Sequence, residues 1–263
     1  VVDRCSECGG LMKRVGSGTQ KVEQELFDLF PKAKVLRMDA DTVGASRGHE
    51  ALLREFEEKK IPILLGTQMV AKGLDFENVT LVGVLDADLS LYAQNYHAAE
   101  RTYSLLAQVV GRAGRGERPG RAVIQTYHPE NEVIQAAAKQ DYETFYQNEL
   151  RMRSLRRYPP FADLFTLTVS GLDELRVIAA ARALCDALRY ACSQPPLKDL
   201  EVEVLGPAGA PVVKVNNRYR YCVYLCGKGG SVLRRTVSEY LLAFYARKEN
   251  RGLDIFADCN ALQ

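Results

Sequence analysis

Apolar residues recur at helical spacing over residues 19–30, where Val22, Leu26, Leu29 and Phe30 share one face and Ser17 or Thr19 can serve as N-cap. Residues 34–38 read as a short strand. Residues 48–60 predict an amphipathic helix, with Leu52, Leu53 and Phe56 inward and Glu57, Glu58, Lys59 and Lys60 outward. Two continuous apolar runs, 61–65 and 79–85, are bounded by polar or turn residues and predict strands. A helix over 95–108 and a strand over 122–125 continue the alternation. Strands alternating with helices at this spacing imply an α/β fold, an open and mostly parallel sheet with helices on both faces. Ligands of such sheets sit at the carboxyl ends of strands, which directs attention to the loops after Leu65 and Leu85.

The pattern then changes. Residues 132–150 predict a helical connector, followed by Arg151, Arg153, Arg156 and Arg157, and by Tyr158-Pro159-Pro160-Phe161, whose prolines stop the helix. Beyond it come a strand (164–169), a helix (174–191), three strands (202–205, 212–215 and 219–226), a helix (232–246) and a last strand (253–257). That order predicts a small α+β sandwich of split-βαβ type. The expected segments are therefore 1–16, a first lobe over 17–130, a connector over 131–158 and a second domain over 159–263.

A chain of 263 residues has room for two such domains. With 35 basic against 33 acidic side chains the net charge is only +2, so any preference for nucleic acid must come from local patches. No apolar run approaches the roughly 18–20 residues that span a bilayer, and Val1 opens no signal-peptide pattern, so the expectation is a cytoplasmic protein without membrane contact. Seven cysteines are scattered rather than arranged as a disulfide framework. Cys185 and Cys192 share a helical face, Cys222 and Cys226 a strand face, and Cys259 stands alone; all five read as small buried hydrophobes. Cys5-Ser6-Glu7-Cys8-Gly9-Gly10 differs, being half of a zinc knuckle. Two thiolates cannot close a tetrahedral site, so either the pair is incidental or its partners precede Val1; its place at the start favours the second reading.

Three segments carry candidate chemistry. The loop Gly66-Thr67-Gln68-Met69-Val70-Ala71-Lys72-Gly73-Leu74-Asp75-Phe76 offers small residues, a hydroxyl at Thr67 and an acceptor at Asp75, as a phosphate loop would. On a continued helix Gln108, Arg112 and Arg115 would lie on one face, left uncrowded by Gly111, Ala113 and Gly114. Two guanidiniums on such a face suit a polyphosphate; a solvated Arg-Gly helix end is the alternative. Arg218-Tyr219-Arg220-Tyr221 interleaves cations with aromatics, which fits either a nucleic-acid strand or a sheet edge with outward arginines. Asp86 and Asp88 have the look of a metal pair but read better as a structural strand end.

In this order, the first two segments resemble motifs V and VI of the second RecA-like lobe of superfamily 2 helicases. GTQMVAKGLDF (66–76), LDADLSLYAQNYHAAERTYSLLAQVVGRAGR (85–115), CSECGG (5–10) with GSGTQKVEQEL (16–26), and YPPF (158–161) resemble the primosomal protein N′ family of bacterial replication-restart helicases, over essentially the whole chain. Leu74 stands where that family commonly has His, and His97 where it commonly has Arg. The resemblance implies a RecA-like helicase lobe 2 followed by the family's C-terminal domain, in a 3′→5′ DNA helicase that couples ATP hydrolysis to unwinding and primosome assembly at stalled forks. It implies that Arg112 and Arg115 reach the γ-phosphate of ATP, a role worth about 10³–10⁵ in rate, and that Gln108 orients the attacking water. Gly73 and Asp75 would border the nucleotide, Thr67 would touch the tracked strand with Gly18 and Thr19 as a second contact, and Cys5 and Cys8 would bind zinc. Implied partners are forked and single-stranded DNA, single-strand-binding protein and other primosome proteins.

No Gly-x-x-x-x-Gly-Lys-Ser/Thr loop and no DEAH-like segment occur, so the cradle for ATP and magnesium is expected in another lobe and the chain alone is expected to be inactive. The competing class is a non-catalytic DNA- or protein-binding module on a degenerate motor scaffold. The presence of Gln108, Arg112 and Arg115 argues against it.

Overall fold

Parallel strands need a crossover, and the chain supplies helices of the right length between short apolar strands. The computed structural model describes residues 18–39, 48–67, 79–93, 95–111 and 119–261. They group into two compact units, one drawn from residues up to 91 and from 101–142, the other from 92–100 and from 143 onward.

The first unit holds α1 (Thr19–Leu29), β1 (Val35–Met38), α2 (His49–Glu58), β2 (Ile63–Gly66), β3 (Leu81–Val84), α3 (Asp88–Leu91), most of α4 (Ala98–Val110), β4 (Arg121–Ile124) and α5 (Glu132–Ala138). Among the described residues its strands form two parallel pairs, β1 with β2 (Val35 opposite Ile63, Met38 opposite Gly66) and β3 with β4 (Leu81 opposite Arg121, Val84 opposite Ile124). Val22, Met38, Leu52 and Ile61 are buried between helices and strands. Alternate residues of β3 and β4 are exposed, Leu81 and Val123 among them. The start of α1 also departs from expectation. Gly18 occupies the N-cap position without a side-chain bond, and the Thr19 hydroxyl instead donates to Asp39 at 2.6 Å.

The helix expected over 132–150 is two. Asn131 caps α5 by accepting from the Val133 N–H at 2.9 Å, Gln140 turns left-handed at φ +55°, and α6 runs over Tyr142–Arg156. Nothing between Ala136 and Tyr142 breaks a helix by propensity. The break follows the buried seam of α5 (Ile134, Ala136, Ala137), which ends at Ala137. Arg157 then turns left-handed at φ +57° before the prolines, and the helix stops there as the sequence predicts.

The second unit is a split-βαβ sandwich: β5 (Asp163–Gly171), α7 (Glu174–Cys192), β6 (Glu203–Val215), β7 (Arg218–Gly227), α8 (Gly230–Ala246) and β8 (Asp254–Cys259). The sheet order is β6-β7-β5-β8, with every neighbouring pair antiparallel. Phe165, Leu167 and Val169 of β5 and Val223 and Leu225 of β7 pack with Val177, Ala181 and Leu188 of α7 and Leu233 and Val237 of α8, so both helices lie on one face. Asp173 caps α7, accepting from the Arg176 N–H at 3.1 Å. The two strands expected over 202–205 and 212–215 are one strand with two register shifts. Gly206 (φ +106°) precedes a proline that has no N–H to donate, and the register shifts again between Gly209 and Lys214. Asn216 and Asn217, both at positive φ, then turn the chain into β7. Cys185 and Cys222 are buried, and burial pushes the Cys185 thiol up. Cys259, expected inside, is exposed on the edge strand β8. Among the described residues no helix is long and apolar enough to cross a membrane.

Segment 92–100 is held to this unit by a polar clasp. Arg153 of α6 donates to Glu149 (2.7 Å), to Glu100 (2.8 Å) and to the Pro159 carbonyl (3.4 Å), and its guanidinium lies 5.5 Å from the Tyr96 ring centroid. Tyr96 donates to the Asn260 carbonyl at 3.1 Å, while the Asn260 side chain accepts from the Leu164 N–H and donates to Asp163. A hydrogen bond with His97 and the Arg153 guanidinium hold the Glu100 carboxyl below its ordinary value, against the opposing effect of burial. The basic run after α6 is therefore partly structural: Arg153 is spent on the clasp and Arg157 on Glu201, while Arg151 and Arg156 stay exposed.

Three outcomes are expected. A Cβ on Gly171 would stand 2.5 Å from Leu253 Cδ2 and 2.9 Å from Val177 Cγ2, so Gly171→Ala overpacks the core and costs about 1–3 kcal/mol in denaturant unfolding. Arg153→Ala removes charge-assisted bonds and costs about 2 kcal/mol, whereas Arg156→Ala stays within about 0.5 kcal/mol of wild type. Glu100 contributes stability that is complete above its ordinary value of 4.5 and is lost as the pH falls through the lowered one. Glu100→Gln flattens that acid limb in a pH series of urea melts; an unchanged limb would mean that other carboxylates set it.

Candidate nucleotide and nucleic-acid sites

Because β1 and β2 run parallel and pair Met38 with Gly66, the residues that follow them emerge side by side at one edge. On the β1 side this is Asp39, which is buried, accepts the Thr19 hydroxyl at 2.6 Å and lies 3.2 Å from the Arg37 guanidinium. Arg37 also pairs with Glu23 of α1 at 3.0 Å, so the start of α1 is tied to the carboxyl end of β1 from two directions. On the β2 side it is Thr67, which is exposed. The structure thus brings Gly18 and Thr19, at the start of α1, to the edge from which Thr67, remote in sequence, emerges. Thr19 has a single hydroxyl proton, already given to Asp39, so a ligand here would meet the backbone at the start of α1 and the Thr67 hydroxyl.

The carboxyl end of β3 carries Asp86 and Asp88. Asp86 sits at φ +56°. Asp88 is buried, with one carboxylate oxygen accepting from the Thr126 hydroxyl (3.0 Å) and the other from the Tyr127 N–H (2.9 Å). Both oxygens are used to hold the segment after β4, which is the structural role its position suggested. Among the described residues no group of three or more His, Cys, Asp or Glu gathers to hold a metal.

Gln108 lies half-buried near the end of α4. That helix is described to Val110, and Arg112, Arg115, Gly73 and Asp75 lie outside the described residues, as do Cys5 and Cys8. Gly111 closes the described part of this segment, and a Cβ there would meet Gln140 Nε2 at 3.1 Å and the Ala107 carbonyl at 3.2 Å, a close approach that suits glycine. The α4 helix is further anchored by Thr102, wholly buried, whose hydroxyl donates to Ser90 (3.1 Å), which donates in turn to the Ala87 carbonyl (3.1 Å). Sequence reading missed this relay, because a threonine among apolar helix positions gives no sign of its partner.

In the second unit the strand period divides Arg218-Tyr219-Arg220-Tyr221 between two faces. Tyr219 and Tyr221 pack against the helical core, and the Tyr221 hydroxyl donates to Glu174 at 2.9 Å, a bond that raises its pKa. Arg218 and Arg220 lie on the opposite face with Ser170, opposite which Arg220 pairs. The four residues are therefore divided between the two faces of the sheet, with Tyr219 and Tyr221 half-buried on the helical side. Arg218 donates to Ser170 and to Asp254, while the Arg220 Nε is buried with no hydrogen-bond partner.

Residues 14–117 match the helicase conserved C-terminal domain, and residues 154–260 the primosomal protein N C-terminal domain. The chain is 42% identical over 257 residues to the replication restart protein PriA of Bacillus subtilis, an alignment covering 97% of this chain and 31% of that protein. It is 42% identical over 218 residues to its namesake in Synechocystis (82% of this chain, 26% of that protein) and 35% identical over 227 residues to that of Rickettsia typhi (86% and 34%). The chain thus spans about a third of the length of the curated relatives it matches. With a helicase C-terminal domain followed by a primosomal C-terminal domain, and with these relatives along nearly all of its length, it belongs to the replication restart protein PriA family.

Proposed function

We propose that the chain forms the second motor lobe and C-terminal domain of an ATP-dependent 3′→5′ DNA helicase that restarts replication and assembles the primosome at stalled forks. The observation that carries this reading is the shared edge of β1 and β2. There a register pairing of Met38 with Gly66 and the Thr19–Asp39 bond place the start of α1 beside Thr67, so that one strand's phosphates meet backbone and hydroxyl donors together. In this reading Thr67, with Gly18 and Thr19, touches the tracked DNA strand. Gln108, presented by the anchored helix α4, orients water, and Arg112 and Arg115 spread over the γ-phosphoryl oxygens as charge develops. Gly73 and Asp75 border the nucleotide.

ATP and its magnesium are held mainly by a lobe outside this sequence; the metal neutralises phosphate charge, and this chain contributes the arginines and the water-orienting amide. Cys5 and Cys8 supply two of the four ligands that a structural zinc needs. Forked and single-stranded DNA, single-strand-binding protein and other primosome proteins are the partners of this reading, in the cytoplasm.

The chain alone is expected to show no DNA-stimulated ATP hydrolysis. Joined to a lobe with a Walker A loop, it is expected to hydrolyse ATP, and Arg112→Ala or Arg115→Ala then lowers turnover about 10³-fold while single-strand affinity changes little. Steady-state ATPase assays on the longer protein check this, and near-normal rates in both variants would sink the arginine assignment.

A further inference from the structure

A side chain that orients water from a helix needs that helix held at one depth and one rotation. Apolar packing sets neither sharply, because it is non-directional. Among the buried apolar positions of α4 (Ala98, Tyr103 and Leu106) stands Thr102, 0% exposed. A valine would fill that space without the cost of burying a hydroxyl, so the hydroxyl earns its place through its bond. That bond runs to α3. The Thr102 hydroxyl donates to the Ser90 hydroxyl (3.1 Å), and Ser90 gives its own single proton to the Ala87 carbonyl (3.1 Å). The short helix α3 is itself fixed. Asp88, buried, accepts from the Thr126 hydroxyl (3.0 Å) and the Tyr127 N–H (2.9 Å), and the Ala87 N–H donates to the Gln125 carbonyl (3.1 Å). The relay therefore stands on the carboxyl ends of β3 and β4 together, all within the first unit.

Thr102 precedes Gln108 by six residues, about 9 Å of helix rise. Helical bonding continues beyond Gln108, for the Gly111 N–H donates to the Ala107 carbonyl at 2.9 Å. A rotation fixed at Thr102 is thus carried rigidly to Gln108 and to Gly111, the residue that precedes Arg112 in sequence. At that end a Cβ on Gly111 would stand 3.1 Å from Gln140 Nε2, so the helix abuts the turn between α5 and α6 and has little room to shift. We propose that Thr102 and Ser90 are positioning residues for ATP hydrolysis, their hydroxyl relay setting the rotation of α4 that aims Gln108 at the attacking water. The assignment rests on the reading of Gln108 given above and adds two residues that act through it.

The experiment is steady-state ATP hydrolysis by the longer protein that includes the Walker A lobe, over a range of oligothymidylate concentrations. A misplacement of 1 Å at the reacting atoms costs about 10²-fold, so the smaller shift of a loosened helix is expected to lower turnover about tenfold in Thr102→Val. The oligonucleotide concentration at half-maximal rate is expected to stay within about twofold of wild type, because the lost interaction serves the chemical step. Thr102→Ser keeps the donor and is expected to recover most of the turnover. Ser90→Ala is expected to slow turnover as Thr102→Val does, and the double variant to be no slower than Thr102→Val, since partners in one relay are not additive. Additive losses overturn the relay, as does a Thr102→Ser as slow as Thr102→Val, which would make the site one of packing. A raised half-maximal oligonucleotide concentration at normal turnover overturns it too. If Thr102→Val melts below the assay temperature, Ser90→Ala, at a half-buried position, decides alone: normal turnover overturns the proposal. Near-normal turnover in Gln108→Ala would instead sink the reading of Gln108, whereas a slow Gln108→Ala beside a normal Thr102→Val sinks the relay alone.

Discussion

Strand β5 pairs with β7 on one side and β8 on the other, and its alternation organises the whole second unit. Phe165, Leu167 and Val169 point to the helices and are almost wholly buried, while Thr166, Thr168 and Ser170 point away. A slip of one residue would turn three large apolar side chains to the helix-free face and three hydroxyls into the core, so the register is strongly held. Everything placed on that face inherits its position from this choice: Arg220 opposite Ser170, Asp254 opposite Ser170, Phe256 opposite Thr168. The same alternation sends Tyr219 and Tyr221 to the core and makes them packing residues.

Charge is distributed with a similar economy. Arg153 clasps Glu100, Glu149 and a carbonyl; Arg157 meets Glu201; Arg176 bridges two carbonyls; Arg218 binds Asp254 and Ser170. Exposed pairs such as Arg157–Glu201 contribute little, but Arg153 is enclosed and hydrogen-bonded on several sides. Sorting the described cations of the second unit in this way separates these from Arg151, Arg156, Arg182, Arg247, Lys248 and Arg251, which are exposed. A net charge of +2 conceals this, because global balance says nothing about which cations are spent.

In the first unit the organising fact is parallel pairing. Because β1 and β2 run the same way in register, their carboxyl ends coincide, and short polar residues that are remote in sequence become neighbours. Asp39 draws Thr19 into this edge, and Asp88 plays the matching part after β3 by holding Thr126 and Tyr127. In both cases a buried carboxylate at the carboxyl end of a strand is stabilised by donors from another segment.

Hydrophobic periodicity by itself determined most of the helices and strands and the split-βαβ arrangement of the second unit, and the prolines determined the helix stop before Tyr158-Pro159-Pro160, because spacing and proline chemistry act locally. Motif wording placed the chain in its family, and the matches to the helicase and primosomal domains agree with it. The break between α5 and α6 was not legible, since Lys139-Gln140-Asp141 is compatible with helix and only the end of a buried seam stops it. The fusion of two expected strands into β6 was hidden for the opposite reason: Gly206-Pro207 reads as an interruption, and only pairing with β7 on either side reveals a bulge. Which face a tyrosine takes, which arginine has a partner and which distant threonines share an edge are properties of pairing between segments. Tertiary structure decided them, because a side chain's chemistry is written locally but its neighbours are set by register and packing across the fold.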